Sequence, residues 1–240
     1  MTRHHRLSAR LAAALVAVPA LLVACGGSAV PTIPPASEAA AASPTPVATH
    51  PGPLYPEGCP TSQPAALAAD DVRNVTIKTD KGDIVIEIKG SLSPIATGNF
   101  VALAECGYYD GVVFHRLVPG FVIQGGDGQF GRSPTVVPDL VGTGGPPYTI
   151  QDEPVTATYG RAVVAMARTA QPNSVGSQFF IVLSDGARDP LQSANTYQII
   201  GKVTSGMDAV DAIAAMPNSG DPNNAAIDPV PMTKVTVATP

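Results

Sequence analysis

Arg116, Gln124 and Gln178 are hydrogen-bonding side chains set among aromatic and branched apolar neighbours. The first two lie in Phe114-His115-Arg116-Leu117-Val118-Pro119-Gly120-Phe121-Val122-Ile123-Gln124-Gly125-Gly126-Asp127, and the third lies in Gly176-Ser177-Gln178-Phe179-Phe180-Ile181. Alternation of Val118, Gly120, Val122 and Gln124 with Leu117, Phe121 and Ile123 predicts a strand. Alternate strand residues share a face, so Arg116, Val122 and Gln124 would line one surface. Phe121 would join them if a bulge at Pro119-Gly120 resets the register. The product is an apolar pocket with a fixed cation and two amides at its rim. A rim of that kind stabilises electron density that develops against it, with no need of a nucleophile, metal or general base.

Other chemistry finds less support. Ser174 or Ser177 with His115 and Asp127 would compose a hydrolase set, but the chain has no Gly-X-Ser-X-Gly elbow. Gly125-Gly126-Asp127-Gly128 and Gly142-Thr143-Gly144-Gly145 lack the Lys-Ser/Thr of a phosphate loop and read as turns. His, Cys and Asp nowhere fall at metal-ligand spacing, so neither a metal nor a cofactor is expected.

The pocket residues need elements to hold them. Val75–Thr79 and Ile84–Ile88 are β-branched runs about a turn at Asp80–Asp83, and read as a hairpin. Ser93-Pro94 opens a helix that Ser93 can cap, with Ile95, Phe100, Leu103 and Ala104 at helical spacing and Gly107 as the stop. Short strands are expected at 112–116, 121–125, 161–167, 178–183 and 197–203, a second helix from Met207 to about Ala215, and a last strand at 232–238. Many short strands with Gly- and Pro-rich connections and no βαβ rhythm predict a mainly β antiparallel sandwich or closed barrel.

The chain before these elements has a different character. Arg3, His4, His5, Arg6 and Arg10 precede an apolar stretch from Leu11 to Ala24, which ends in Leu22-Val23-Ala24 before Cys25. That pattern describes an export signal over residues 1–24, and Cys25 at the cut resembles a bacterial lipobox. Cleavage there and acylation of Cys25 would place the protein on the extracytoplasmic face of the cell membrane, held by its acyl chains. Loss of Arg3, Arg6 and Arg10 takes the formal count from 14 basic and 19 acidic residues to 11 and 19, a net charge of −8. A chain so acidic has no footprint for nucleic acid. Residues 25–64 are rich in Pro, Ala, Ser and Thr and cannot bury enough surface to order themselves, so a disordered tether is expected there, with a domain over 65–240. Cys59 and Cys106 remain after Cys25. In an exported chain they are expected to pair, the alternative being two separate thiols.

The two motifs around Arg116 and Gln178 together closely resemble the cyclophilin family of peptidyl-prolyl isomerases, over about Val75 to Val235. The resemblance implies a closed eight-stranded antiparallel barrel capped by two α-helices, acting as a monomer on proline-containing polypeptides. It also implies roles. Arg116 matches the catalytic arginine, Gln124 the glutamine that positions it, and Phe121, Val122, Phe180 and Leu191 the wall of the proline pocket. Gln178 and Ala167-Arg168 match the rim that binds substrate backbone, His115 precedes the arginine as in the family, and Tyr197 stands where many members have histidine. The implied chemistry suits the residues. Rotation about an X–Pro bond meets a barrier of ~18–20 kcal/mol from amide resonance. In the twisted amide the prolyl nitrogen gains a lone pair, which an always-protonated guanidinium would stabilise.

The chain departs from the family in three places. It has no tryptophan, Arg168 replaces a common asparagine, and 190–197 replaces the usual Leu-Asp-Gly turn with a longer segment. The altered segment leaves room for a second reading, a proline-peptide adaptor or cell-surface adhesin that binds without accelerating rotation.

Overall fold

Branched apolar residues at every second position build the first hairpin of the computed structural model, which describes residues 55–240. The expected leader, Cys25 and the tether as far as residue 54 lie outside the described residues. Strands β1 (Val72–Thr79) and β2 (Gly82–Lys89) pair from Val72↔Lys89 to Thr79↔Gly82, so the connection is a two-residue loop, Asp80-Lys81. Val75 and Ile77 on one strand and Ile84, Ile86 and Ile88 on the other all turn inward and are buried, as period-2 alternation requires.

Six further strands complete the sheet: β3 (Phe114–Val118), β4 (Val122–Gly125), β5 (Val163–Met166), β6 (Phe179–Val182), β7 (Ile199–Ser205) and β8 (Lys234–Ala238). Their order is β3-β4-β6-β5-β7-β2-β1-β8, and every pairing is antiparallel. The sheet curls into a half-barrel that stays open, which corrects the expectation of a closed barrel. The end strands β3 and β8 share no ladder. The two ends meet in a short seam, where Gly111 N–H donates to Met232 O, Met232 N–H to Val112 O and Phe114 N–H, at the start of β3, to Val230 O. Val113 and Pro231 stand opposite each other within that seam as an isolated antiparallel bridge, which does not lengthen into a ladder.

Three α-helices, not the expected two, accompany the sheet: α1 (Pro94–Glu105), α2 (Arg188–Ala194) and α3 (Met207–Ala214). α1 starts at Pro94 as read from sequence, but Ser93 makes no side-chain cap. Glu153 caps it from a distant loop instead, its carboxylate accepting the N–H groups of Ile95 and Ala96 at 2.9 Å each. A carboxylate there satisfies two orphan donors and opposes the positive end of the helix. The helix stops at Gly107 (φ +78°), with Tyr108 N–H bonding Leu103 O and Gly107 N–H bonding Ala104 O. That pair of bonds is a Schellman ending, which left-handed glycine favours.

Phe100, Tyr108, Tyr109, Phe114 and Phe179 fill the main core, and Phe179 meets Phe100, Tyr109 and Phe114 edge-on at 5.2–6.2 Å. Residues 55–64, the end of the segment expected to be a tether, lie against this domain. Cys59 is buried and bonded to Cys106 at the end of α1. Tyr55 packs its ring on Tyr108 at 5.7 Å and its hydroxyl donates to Pro60 O. Among the described residues no helix is long and apolar enough to cross a membrane.

Candidate active site

The long motif that alternation reads as one strand is a hairpin. Val118 pairs with Val122, and Pro119-Gly120-Phe121 form its turn, closed by Phe121 N–H to Val118 O at 3.0 Å. The expected bulge exists but lies elsewhere. Phe114 pairs with Gly125 and Arg116 with Gln124, so His115 is an extra residue. Phe114 and Leu117 both belong to the main core, and the bulge therefore turns both His115 and Arg116 away from it. Bulges re-aim side chains in this way beside functional sites. Arg116 and Gln124 share a face because they stand opposite each other across the ladder, not because they alternate along one strand.

The three polar side chains form a directed chain. Gln178 Nε2 donates to the carbonyls of Gly142 and Gly144 at 2.9 Å each. That fixes its amide, leaving Oε1 to accept from Gln124 Nε2 at 3.0 Å. Gln124 is then oriented in turn, and its Oε1 faces Arg116 Nη1 at 3.4 Å. Because an amide has one acceptor end and one donor end, fixing the first orients all that follow.

Asp127 anchors the chain, a role the sequence reading gave to no residue. It is wholly buried. Its Oδ1 accepts the N–H groups of Gln129 and Phe130, and its Oδ2 accepts those of Gly142 and Gly144 at 2.7 and 3.0 Å. Four N–H donors satisfy a carboxylate that would otherwise be costly to bury. Gly142 has φ +94°, and a Cβ at Gly144 would stand 2.5 Å from Asp127 Oδ1, so both positions need glycine. The signal was present in Gly126-Asp127-Gly128 and Gly142-Thr143-Gly144-Gly145, which read only as turns.

Beside the amide chain lies a second apolar cluster, separate from the main core. Val122, Phe180 and Leu191 are buried in it, and Phe121, Ala167 and Tyr197 pack against it partly exposed. Thus every expected wall residue is brought together with Ala167 and Tyr197. Phe180 and Tyr197 meet edge-on at 5.3 Å. Tyr159, which the sequence reading missed, holds Tyr197 at both backbone ends: its hydroxyl donates to Tyr197 O at 2.7 Å and accepts from Tyr197 N–H at 3.1 Å. Burial pushes its hydroxyl pKa up to about 12, so it stays a donor. The altered segment at 190–197 is mostly helix α2, which ends on Asn195 in the left-handed conformation and delivers Leu191 to the cluster.

Arg168 is tied into its own loop. Its guanidinium pairs with Asp152 at 3.1 Å and donates to Thr169 O and Gln171 O. The rim there is left to the backbone of Ala167-Arg168, next to the last rung of the sheet at Ala167 N–H to Gln178 O.

His115, grouped with the substrate-binding residues from sequence, stands outside the apolar cluster. It is 6 % exposed, and neither ring nitrogen has a hydrogen-bond partner among the described residues. Burial lowers its pKa from 6.5 to about 4; Asp127 opposes the shift, Arg116 adds to it, and the nearby Val113 backbone, too poorly placed for a hydrogen bond, opposes it least. The folded pKa is depressed, so the unfolded chain takes up a proton at a higher pH than the folded one. Stability is therefore full above about pH 6.5 and falls as pH drops toward 4, by about 3 kcal/mol at ~1.36 kcal/mol per unit. Denaturant titrations from pH 7 to 4 should show that fall in the parent and a fall smaller by about that amount in His115→Asn. Equal slopes would show that His115 titrates normally.

The residues match known proteins along most of this fold. The family model described as "Cyclophilin type peptidyl-prolyl cis-trans isomerase/CLD" matches residues 74–237. A Brucella abortus protein named "Probable peptidyl-prolyl cis-trans isomerase" is 40% identical over 174 residues, covering 72% of this chain and 86% of its own. An Acinetobacter baylyi peptidyl-prolyl cis-trans isomerase is 35% identical over 171 residues, covering 68% and 84%. Among solved structures, a Cryptosporidium parvum cyclophilin type peptidyl-prolyl cis-trans isomerase matches with TM-score 0.57 and 30% identity, covering 70% of this chain and 99% of its own. That protein has also been solved in the presence of the dipeptide Ala-Pro, where the TM-score is 0.56.

Proposed function

This chain belongs to the cyclophilin-type peptidyl-prolyl cis-trans isomerase family, and on that premise we propose that it turns X–Pro bonds in exported or cell-surface proteins, with Arg116 as the catalytic group. The observation that carries the mechanism is the hydrogen-bond chain from Asp127 through Gly142, Gly144, Gln178 and Gln124, which ends on the Arg116 guanidinium beside an apolar cluster. The proline ring enters against Val122, Phe180 and Leu191, with Phe121 at the edge. Backbone groups at Ala167-Arg168 and the Gln178 rim hold the flanking peptide. As the amide twists, the prolyl nitrogen pyramidalises and its new lone pair meets the guanidinium. The interaction grows along the reaction coordinate, so it lowers the barrier more than it tightens binding. A reduction of ~7 kcal/mol corresponds to about a 10⁵-fold acceleration. The test is NMR exchange on an Ala-Pro peptide with the intact protein. Binding without faster exchange would instead identify a proline-peptide adaptor.

The cellular setting rests on the basic start, the apolar stretch and the Leu22-Val23-Ala24-Cys25 junction. A bonded Cys59–Cys106 pair fits an oxidising compartment. On this reading Cys25 is the mature N-terminus, acylated and seated in the outer face of the membrane. Mass spectrometry of the protein from its native membrane should find an N-terminal peptide beginning at Cys25 and carrying acyl chains. A peptide that begins upstream, or an unmodified Cys25 thiol, would overturn it.

A further inference from the structure

Beside the proline pocket is a second cavity that none of these roles uses. Its volume is about 380 Å³, and its lining includes His115, Val136, Pro138, Val141, Ala226 and Ile227. No side chain that carries charge at neutral pH lines it, since burial keeps the His115 imidazole neutral there. Leu140 and Ile227, 44% and 65% exposed, are the exposed large hydrophobics of the described residues. Ile227 lines the cavity, and Leu140 is the chain neighbour of the lining residue Val141. A single exposed apolar side chain needs no explanation, but Ile227 stands at the edge of a concave surface lined by Val136, Pro138, Val141 and Ala226, and an apolar concavity with an exposed apolar rim marks a contact site.

Its position says what it contacts. The bulge at His115 turns that residue to the outer side together with Arg116. The Ala225–Ile227 segment runs alongside: Ala225 bridges Arg116, and Ala226 N–H donates to His115 O at 2.9 Å. On the other wall Val141 leads into Gly142, whose carbonyl holds Gln178. The cavity is thus continuous with the rim of the isomerase site. At ~3.3 Å per residue of extended chain it lies within a few residues of a bound proline.

We propose that this cavity is a client subsite, taking an aliphatic or aromatic side chain of the same polypeptide whose proline occupies the site. The inference rests on the isomerase reading and adds a preference to it: clients with an apolar residue near the proline are favoured over those with a small polar one. Asp139 and Asp228, both exposed beside the lining prolines, disfavour acidic residues at the same position.

The experiment uses peptides with an Ala-Pro core and seryl flanks, in which leucine replaces serine at each flanking position in turn. Binding to the full chain is measured by calorimetric titration, and exchange by NMR. Leucine at one or two positions on one side of the proline should tighten Kd about tenfold, or about 1.4 kcal/mol, as an apolar side chain leaves water. Two variants probe the cavity itself. Ile227→Ser removes an exposed wall, and Ala226→Leu fills the space from within, so a fold defect common to both is not expected. Each should reduce the leucine preference to about twofold or less. No preference at any position in the parent, or a preference unchanged in both variants, would overturn the subsite. Preferential binding without isomerisation would support the subsite and reject the isomerase reading alone. Isomerisation without preference would do the reverse.

Discussion

Arg116→Ala should lower kcat/KM on an Ala-Pro peptide by about 10²–10³-fold, the usual loss when one preorganised charge-stabilising donor is removed. The fall should appear mainly in kcat, because the guanidinium meets the nitrogen lone pair only as the amide twists. An interaction absent from the ground state leaves KM nearly unchanged when it is removed. Arg116→Lys should lie between the two: it keeps the charge but loses the planar fork that Gln124 orients. The change should spare the fold, since the Arg116 side chain is only partly buried and, among the described residues, its guanidinium makes just the long hydrogen bond to Gln124. Protease-free NMR exchange with matched circular dichroism checks both points. Full activity in Arg116→Ala would remove Arg116 from the mechanism and leave the apolar cluster as the source of catalysis.

The second large effect concerns stability. Replacing Cys59 and Cys106 with serine should destabilise the domain by about 3–4 kcal/mol in denaturant titrations. The bond closes a loop with a sequence separation of 47, and the chain-entropy relation gives about 4 kcal/mol for such a loop. The same change frees residues 55–64, whose buried anchor is Cys59. Proteolysis of the folded variant should then begin in that segment and not in the sheet. Neither cysteine touches the apolar cluster or the amide chain, so isomerisation by the folded variant should persist. A loss below about 1 kcal/mol would show that the crosslink does little to restrict the unfolded chain.

Much of the site was legible because its information is local. Phe121-Val122 and Phe179-Phe180 are apolar whatever surrounds them, and Arg116, Gln124 and Gln178 are polar groups in apolar runs. The hairpin at 72–89 and helix α1 follow from β-branched alternation and from Pro94 and Gly107, each a short-range signal. What was misread depends on partners distant in sequence. The Ser93 cap was displaced because Glu153, far along the chain, offers two carboxylate oxygens where a serine offers one. Local turn chemistry favours a bulge at Pro119-Gly120, whereas pairing against Gln124 and Gly125 puts it at His115. The helix around Leu191 is not legible because its segment is short and mostly polar, too short to stand as a helix on local signals alone.

The residue types therefore determined the chemistry available to this protein: a permanent cation, two amides and an apolar wall, with a family resemblance to match. Tertiary structure alone decided how they work together. An amide has no preferred direction until both its ends are engaged, and Gln178 acquires one only from the carbonyls of Gly142 and Gly144, which Asp127 holds in place. A barrel closes only if its end strands form a ladder, and here β3 and β8 meet only through the short seam at 111–114 and 230–232. The outer cavity beside His115 exists only because loops from two separate parts of the chain meet there.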